Sequence, residues 1–197
     1  MRILYGVQGT GNGHITRARI MAKAFAKRKD VVVDYLFSGR EQLKYFDMEI
    51  FGQFKCFTGL TFSTANGAIS RWQTLKSNKL GSLIQDIKGL DLSSYDLLIN
   101  DFEPISAWAA KLQNIPSISI SHQVPFLHPI PKQGYNLLDR LLTKYFAPTD
   151  IKLGVHWYHF GHPIMPPFIE AKINNCIDDK KLLVYLPFED IEDIRAL

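Results

Sequence analysis

The 197-residue sequence has little cysteine, no long apolar run and no strong excess of either charge. Its two cysteines, Cys56 and Cys176, lie far apart, with no CxxC pair and no histidine pair near them at the spacing of metal ligands. This argues for a reducing compartment and against a disulfide framework or a structural metal site. The net charge of +4 is mild and the basic residues are scattered, which argues against the binding of nucleic acid.

No apolar stretch approaches the length that crosses a bilayer, and the apolar run at residues 1–7 is too short for a signal peptide. We therefore expect a cytoplasmic protein, with any membrane contact peripheral and at the inner face. What the sequence does contain is an ordinary globular composition, with 46% apolar and 12% aromatic residues. Such a chain can bury the core of one substantial domain but is too short for two domains of ordinary size.

Apolar runs rich in β-branched residues alternate with segments of helical spacing, an order that is typical of an α/β fold. The pattern predicts strands over Arg2–Val7, Val31–Phe37, Met48–Phe54, Tyr95–Asn100, Pro116–Ser121 and Ile151–Phe160, and helices over His14–Arg28, Thr74–Leu90, Pro104–Gln113 and Tyr135–Tyr145. Parallel strands with right-handed crossovers follow from this order. We predict a doubly wound, mostly parallel Rossmann-like sheet within residues 1–160.

The C-terminal part of the sequence differs in character. The proline-rich run GHPIMPP (161–167) predicts a linker over residues 161–180. Lys181–Leu186 is an apolar run that predicts the first strand of a second domain, of which residues 181–197 are only the start. An unpaired apolar strand invites pairing with another chain, so we expect self-association through this end.

Three polar clusters follow predicted strands at the points where those strands end. They are Gly9–His14 after the first strand, Asp101–Glu103 after the fourth and Ser121–Gln123 after the fifth. In a sheet of order 3-2-1-4-5, ligands bind at the carboxyl ends of the strands where the order reverses. The sequence therefore predicts that all three clusters face one crevice.

The glycine-rich turn allows two interpretations. Gly11, Asn12 and Gly13 open the predicted helix, where backbone amides and the helix N-terminus favour an anionic ligand. A dinucleotide fingerprint would instead carry glycine where His14 stands and an acidic residue where the second strand closes with Ser38. The turn departs from that fingerprint at both points, which leaves an NAD- or nucleotide-dependent oxidoreductase domain as the alternative.

The remaining polar residues of the crevice are candidates for catalysis. A neutral histidine at a helix N-terminus can act as a general base, so His14 is a candidate base, and helix capping or loop packing is the alternative. Asp101 can orient the imidazole or cap the helix that follows, and Glu103 is the second candidate base. His122 and Gln123 either bind a polar acceptor or make ordinary turn hydrogen bonds.

Three motifs carry a resemblance to a known group of enzymes. GVQGTGNGHITRA (6–18) resembles the opening motif of the GT-B glycosyltransferases, the group that holds the MurG-type enzymes and UDP-glucuronosyl transferases. Together with LLINDFEP (97–104) and SISISHQ (117–123), it resembles more closely the MJ1255/VC2487-type glycosyltransferases of archaea and bacteria. The resemblance extends through FGHPIMPP to KKLLVYLPFED (180–190), which is similar to the first strand of the second domain in that family.

The resemblance implies an inverting, metal-independent transfer of a sugar from a nucleotide-sugar donor, expected to be a UDP-sugar, with no cofactor. The acceptor is expected to be a sugar or lipid-linked hydroxyl compound of cell-envelope or glycolipid synthesis, held by the N-terminal domain. By position, His14 matches the motif's histidine, Gly11 and Gly13 its glycines near the donor phosphates, and Asp101 and Glu103 its acidic pair. The donor domain is missing from these residues, so we expect no transfer by this chain alone. A non-catalytic acceptor-binding module is the further alternative.

Overall fold

The computed structural model describes residues 1–60, 64–65, 68–69 and 80–169. The strands are β1 (Arg2–Gln8), β2 (Val32–Ser38), β3 (Phe54–Phe57), β4 (Thr64–Ala65), β5 (Ala68–Ile69), β6 (Leu97–Asp101), β7 (Ser117–Ser121), β8 (Ile151–Val155) and β9 (Ile164–Met165). The helices are α1 (Asn12–Phe25), α2 (Leu80–Gly89), α3 (Pro104–Gln113) and α4 (Leu137–Tyr145), with 3₁₀ helices at Gln42–Lys44, Glu49–Phe51 and Val124–Leu127. The predicted start of the second helix, and the predicted second domain at 181–197, lie outside the described residues.

Seven parallel strands form one sheet in the order β3-β2-β1-β6-β7-β8-β9. The order reverses between β1 and β6, which are neighbours although they are far apart in the chain. β4 and β5 form a separate antiparallel pair. The predicted doubly wound, Rossmann-like α/β fold is confirmed, and its switch point lies where the sequence places the crevice.

Both faces of the sheet are covered, because successive side chains of a strand point to opposite faces. On one face, Ile3, Tyr5 and Val7 of β1 belong to the core cluster that includes the buried side of α1. On the other face, Leu4 belongs to a cluster with Ile105 of α3. β1 is thus buried on both sides, as its nearly continuous apolar sequence predicts.

The predicted strand Met48–Phe54 is wrong in its position. Residues Glu49–Phe51 form a 3₁₀ helix, and the strand runs instead over Phe54–Phe57. Gly52 has a φ of 60°, a left-handed conformation that turns the chain between the two elements. Phe51 is buried in the core, with 4% of its surface exposed. Its side chain enters the core from a turn, so its apolar character does not indicate a strand.

The predicted strand Ile151–Phe160 is shorter than expected, because β8 ends at Val155. The aromatic residues that follow belong to a loop, in which Phe160 has a φ of 51°. Within the predicted linker, Ile164–Met165 pair in parallel with β8 and extend the sheet as β9. The linker and domain boundaries themselves stay a prediction.

The helix termini follow ordinary capping chemistry. α4 begins two residues later than predicted because Asn136 is its N-cap: the Asn136 side chain accepts from the Asp139 amide, and the Asp139 carboxylate accepts from the Asn136 amide. α3 carries Pro104 in its first turn, as expected, and ends at the left-handed Asn114. Within the described part of the chain, none of the helices has the length and apolarity that crossing a bilayer requires.

Candidate active site

The loop between β1 and α1 is held in place by hydrogen bonds to its neighbours. The Gln8 amide donates to the Thr10 hydroxyl at 2.9 Å and to the Leu60 carbonyl at 3.0 Å. The Arg40 guanidinium donates to the Thr10 carbonyl at 3.2 Å and to the Asn12 side-chain oxygen at 3.0 Å. Asn12, predicted in the cleft loop, therefore fixes the loop's shape through Arg40.

The glycines of this loop play different parts. A Cβ atom at Gly9 would collide with the ring of Tyr45, so a larger residue there would have to displace that ring. A Cβ atom at Gly13 would meet nothing within 4 Å, and one at Gly11 only the His14 ring at 3.8 Å. Gly11 is the N-cap of α1, and within the described part of the chain no side-chain cap hydrogen bond is made to the first amides of this helix.

The structure brings His14 and Asp101 together. The Nδ1 atom of His14 lies 2.8 Å from Oδ1 of Asp101. The side chain of Asp101 is fully buried and that of His14 is 14% exposed. Because a carboxylate is an acceptor, Nδ1 donates in this bond, and the ring directs Nε2 to the opposite side. The imidazole is therefore oriented with its basic nitrogen away from Asp101.

Arg17 is the site residue that the sequence analysis missed. Its Nε atom donates to Oδ2 of Asp101 at 2.7 Å and its Nη2 atom donates to Oδ1 at 2.8 Å, a bidentate pair. Nη2 also lies 3.2 Å from Nδ1 of His14. Arg17 follows His14 by one helical turn, and this i,i+3 spacing places both on one face of α1, a signal that could have found it.

The charge of Asp101 is set by these neighbours. Burial by itself raises the pKa of a carboxyl group, because a low-dielectric interior disfavours the charged form. Here burial is outweighed by the charges and hydrogen bonds of His14 and Arg17, which hold the pKa of Asp101 below its ordinary value. Asp101 is therefore an ionised carboxylate at neutral pH.

The two residues predicted to bind an acceptor lie at different depths. The side-chain nitrogen of Gln123 is 3.4 Å from Nε2 of His14, and its side-chain oxygen is buried with no hydrogen-bond partner among the described residues. His122 is exposed at the rim, where its Nδ1 lies 2.9 Å from the Val155 carbonyl and its ring stacks on His156 at 5.9 Å. Gln123 thus belongs to the group around His14, whereas His122 flanks it.

Glu103 does not join this group. It is fully buried as the N-cap of α3, where its carboxylate accepts from the amides of Ile105 and Ser106 at 2.8 and 2.6 Å. It also accepts from the hydroxyls of Ser106 and Ser38 at 2.5 and 2.6 Å. Glu103 is therefore the helix cap, and the alternative that gives this role to Asp101 is wrong.

The chain separates these two acids at Phe102. Its φ of 57° is left-handed and turns the backbone between Asp101, which meets α1, and Glu103, which meets α3. Burial raises the pKa of Glu103, although its hydrogen bonds from Ser106 and Ser38 oppose the rise. Sequence alone predicts no such reversal, because two residues apart in a strand share one face. Glu103 has no free oxygen directed at the crevice.

Among residues 1–60, 64–65, 68–69 and 80–169, no group of three His, Cys, Asp or Glu side chains is placed to hold a metal ion. The residues described around His14 supply an imidazole, a carboxylate, a guanidinium and an amide. Such a set can move a proton and orient a hydroxyl.

The fold and this crevice define a doubly wound α/β domain with a histidine–carboxylate pair at its switch point. Residues 1–136 match the family model described as "Glycosyl transferase family 1", a range that contains the loop, α1, Asp101 and Gln123. The chain belongs to this glycosyltransferase family. The predicted membership in a narrower MJ1255/VC2487-type family stays a prediction.

Comparison with curated proteins found no match. Among solved structures, the chain is similar to MurG of Acinetobacter baumannii, with 11% sequence identity and a TM-score of 0.43. The similarity covers 84% of this chain and 43% of the MurG chain. This chain thus corresponds to less than half the length of that enzyme.

Proposed function

We propose that this chain is the acceptor-binding part of an inverting glycosyltransferase, in which His14 is the general base. The observation that carries the proposal is the 2.8 Å contact between His14 Nδ1 and the buried carboxylate of Asp101. It leaves Nε2 as an acceptor in a crevice at the switch point of the sheet. The family transfers sugars, and a base that can deprotonate an acceptor hydroxyl is suited to that reaction.

The reaction follows from these groups. Nε2 of His14 accepts the proton of an acceptor hydroxyl as that oxygen attacks the anomeric carbon of the donor sugar. The bond from the anomeric carbon to the diphosphate breaks at the same time, so one displacement inverts the configuration. Asp101 holds Nδ1–H and stabilises the imidazolium that forms. The proton then leaves His14 for solvent, and the nucleoside diphosphate leaves with the electrons of the broken bond.

The leaving diphosphate needs compensation of its negative charge. The open amides at the start of α1, next to Gly11 and Gly13, can donate to its oxygens, and the helix dipole favours an anion there. We propose a nucleotide-sugar donor, of the UDP class that the motifs favour, with most of its contacts made by a further donor-binding domain. Gln123, with its unpartnered oxygen, is suited to accept a hydrogen bond from an acceptor hydroxyl.

We also propose a lipid-linked acceptor, from a second feature of the same domain. An apolar groove of about 450 Å³ lies between α2, α3 and α4, and its lining includes Leu83, Trp108 and Leu142. Lys111 lies over the Trp108 ring and Lys144 over the Tyr145 ring, so basic groups flank the groove. Apolar surface with basic neighbours is suited to a lipid chain with an anionic head group.

The decisive experiment measures sugar transfer by the complete gene product. The protein is incubated with a panel of radiolabelled UDP-sugars and a lipid extract of its own cells, and labelled lipid is separated by chromatography. Transfer by the wild-type protein that is lost in His14→Gln supports the proposal. Equal transfer by both proteins would overturn the assignment of the base, and binding of acceptor without any transfer would favour a non-catalytic module.

A further inference from the structure

We propose that Arg17 is a positioning residue that balances the charge of Asp101 and thereby keeps His14 unprotonated and ready to accept a proton. The catalytic meaning of this inference rests on the proposed function. Its effect on proton binding by His14 does not, because that effect depends only on the charges in the folded domain.

The three side chains form one buried ionic group. Arg17 is 12% exposed and Asp101 is fully buried, so water and salt screen their interaction only weakly. Both oxygens of Asp101 accept hydrogen bonds from Arg17, and Oδ1 is shared with His14. The guanidinium fork therefore fixes the plane of the carboxylate to which the imidazole is hydrogen bonded.

Charge is the second part of the argument. A buried carboxylate on its own favours the imidazolium form of a neighbouring histidine, which is the form that cannot act as a base. Arg17 brings a positive charge to 3.2 Å from Nδ1 of His14 and repels a proton added to that ring. Asp101 can then orient the imidazole without holding it in its charged state.

Among the residues that the structure describes, the other groups packed around this ion pair add no net charge. Tyr5 of β1 lies beneath it, and burial holds the pKa of its hydroxyl well above the usual value, so the phenol is neutral. Gln123, after β7, is an uncharged amide. Asp101 lies on β6, and His14 and Arg17 lie on α1. The imidazole of His14 therefore faces one negative charge, on Asp101, and one positive charge, on Arg17.

Arginine supplies both the bidentate geometry and the positive charge, whereas substitutions at residue 17 separate these two properties. Arg17→Lys keeps the positive charge but loses the bidentate geometry, since an ammonium group is a single point of charge. Arg17→Met keeps much of the side-chain volume and removes the charge. Arg19→Met is the matched control, because Arg19 lies on the same helix but donates to the carbonyls of Phe46 and Asp47 away from the ion pair.

The test is a titration of the histidine side chains in the 197-residue chain by nuclear magnetic resonance. The signal of His14 is assigned by its absence in His14→Gln. In Arg17→Met we expect the midpoint of proton binding at His14 to rise by about one pH unit or more, the scale set by one charge at this distance. Arg17→Lys and Arg19→Met should stay close to the wild type. An unchanged midpoint in folded Arg17→Met overturns the proposal.

A second pair of variants covers the case in which Arg17→Met does not fold. In Asp101→Asn the carboxylate is gone, and the double variant Asp101→Asn/Arg17→Met removes both buried charges at once. The His14 midpoint should be lower in the single variant than in the double variant, again by about one pH unit. Equal midpoints overturn the inference.

Transfer activity separates this inference from the proposed function. If His14 is the base, the acidic limb of the pH–rate profile moves to higher pH in Arg17→Met and keeps its position in Arg17→Lys. A shift seen by magnetic resonance, together with a complete gene product that transfers no sugar, upholds the charge balance and counts against the proposed function.

Discussion

The Nδ1 atom of His14 lies 2.8 Å from Oδ1 of Asp101, although 87 positions separate the two residues in the chain. The register of the sheet explains this proximity, because Val7 near the end of β1 is paired with Asp101 at the end of β6. α1 begins just beyond β1 and carries His14 over that pair. The contact therefore exists only when β1 and β6 are joined at the switch point.

Replacement of His14 is expected to affect turnover more than donor binding. In the complete enzyme, His14→Ala should lower turnover by roughly two to four orders of magnitude, the usual contribution of a general base. Steady-state kinetics with varied donor should show a far smaller change in donor affinity. His159→Gln, which replaces an exposed histidine of the loop after β8 that accepts from the Gly161 amide, is the control and should leave turnover unchanged. Wild-type turnover in His14→Ala would contradict the assignment.

Replacement of Asp101 is expected to reduce both rate and stability. Asp101→Asn leaves Arg17 buried without its counter-charge, and loss of one partner of such a pair costs about 3–5 kcal/mol. This exceeds the cost of about 1 kcal/mol expected for a lost helix cap. Urea denaturation at pH 7 gives the free energy of unfolding, and kinetics of the folded variant give the rate. A stable and fully active Asp101→Asn enzyme would exclude the pair from catalysis.

The stabilisation by Asp101 is expected to depend on pH in a defined direction. Its pKa is lower in the folded protein than in the unfolded chain, so the folded state favours the ionised carboxylate. The contribution is complete above the unfolded value of about 3.9 and is lost as the pH falls through the lower folded value. The difference in unfolding free energy between the wild type and Asp101→Asn should therefore shrink below about pH 4. A difference that stays constant down to pH 2 would contradict this linkage.

Replacement of Glu103 is expected to weaken the fold and to spare the chemistry. Glu103→Ala removes the acceptor for the amides of Ile105 and Ser106, and loss of an N-cap costs about 0.5–2 kcal/mol. Thermal melts should show this loss, while turnover per folded molecule at 20 °C stays within a factor of about two, because the side chain does not face His14. A drop of a hundredfold in turnover without a change in stability would restore Glu103 as a candidate base.

The apolar groove gives a prediction about lipid. Leu142 lines the groove and is 47% exposed, so Leu142→Glu places a charge there with little effect on folding. Sedimentation with vesicles of phosphatidylglycerol should show weaker binding of Leu142→Glu than of the wild type. Leu43→Glu is the control, since Leu43 is 98% exposed in a 3₁₀ helix outside the groove lining. Equal binding by all three proteins would remove the groove from lipid recognition.

Much of the fold could be predicted because its signals are local. The apolar run of β1 and the helical spacing of α1 identify these elements without tertiary information, and the βαβ order then fixes the parallel sheet. The strand predicted at residues 48–54 failed because Phe51 is buried from a turn that a glycine at residue 52 creates. Burial alone does not distinguish a strand from such a turn.

The site was predicted less completely, because its contacts depend on backbone geometry. His14 and Asp101 could be placed together from the strand order. Arg17 was missed because a basic residue on a helix is most often solvated, although its i,i+3 spacing from His14 places it on the same helix face as that histidine. Glu103 was placed in the crevice because the left-handed conformation of Phe102 has no signal in the sequence.

That conformation of Phe102 has a consequence for how the domain can vary. It assigns two acids, separated by one residue, to opposite layers of the molecule, so each carboxylate experiences its own dielectric surroundings and its own donors. Phe102 is itself anchored by stacking on Phe146 with ring centres 4.7 Å apart. A change at Asp101 therefore leaves the N-cap of α3 in place, because the acid of the crevice and the cap of α3 are separate carboxylates within three consecutive positions.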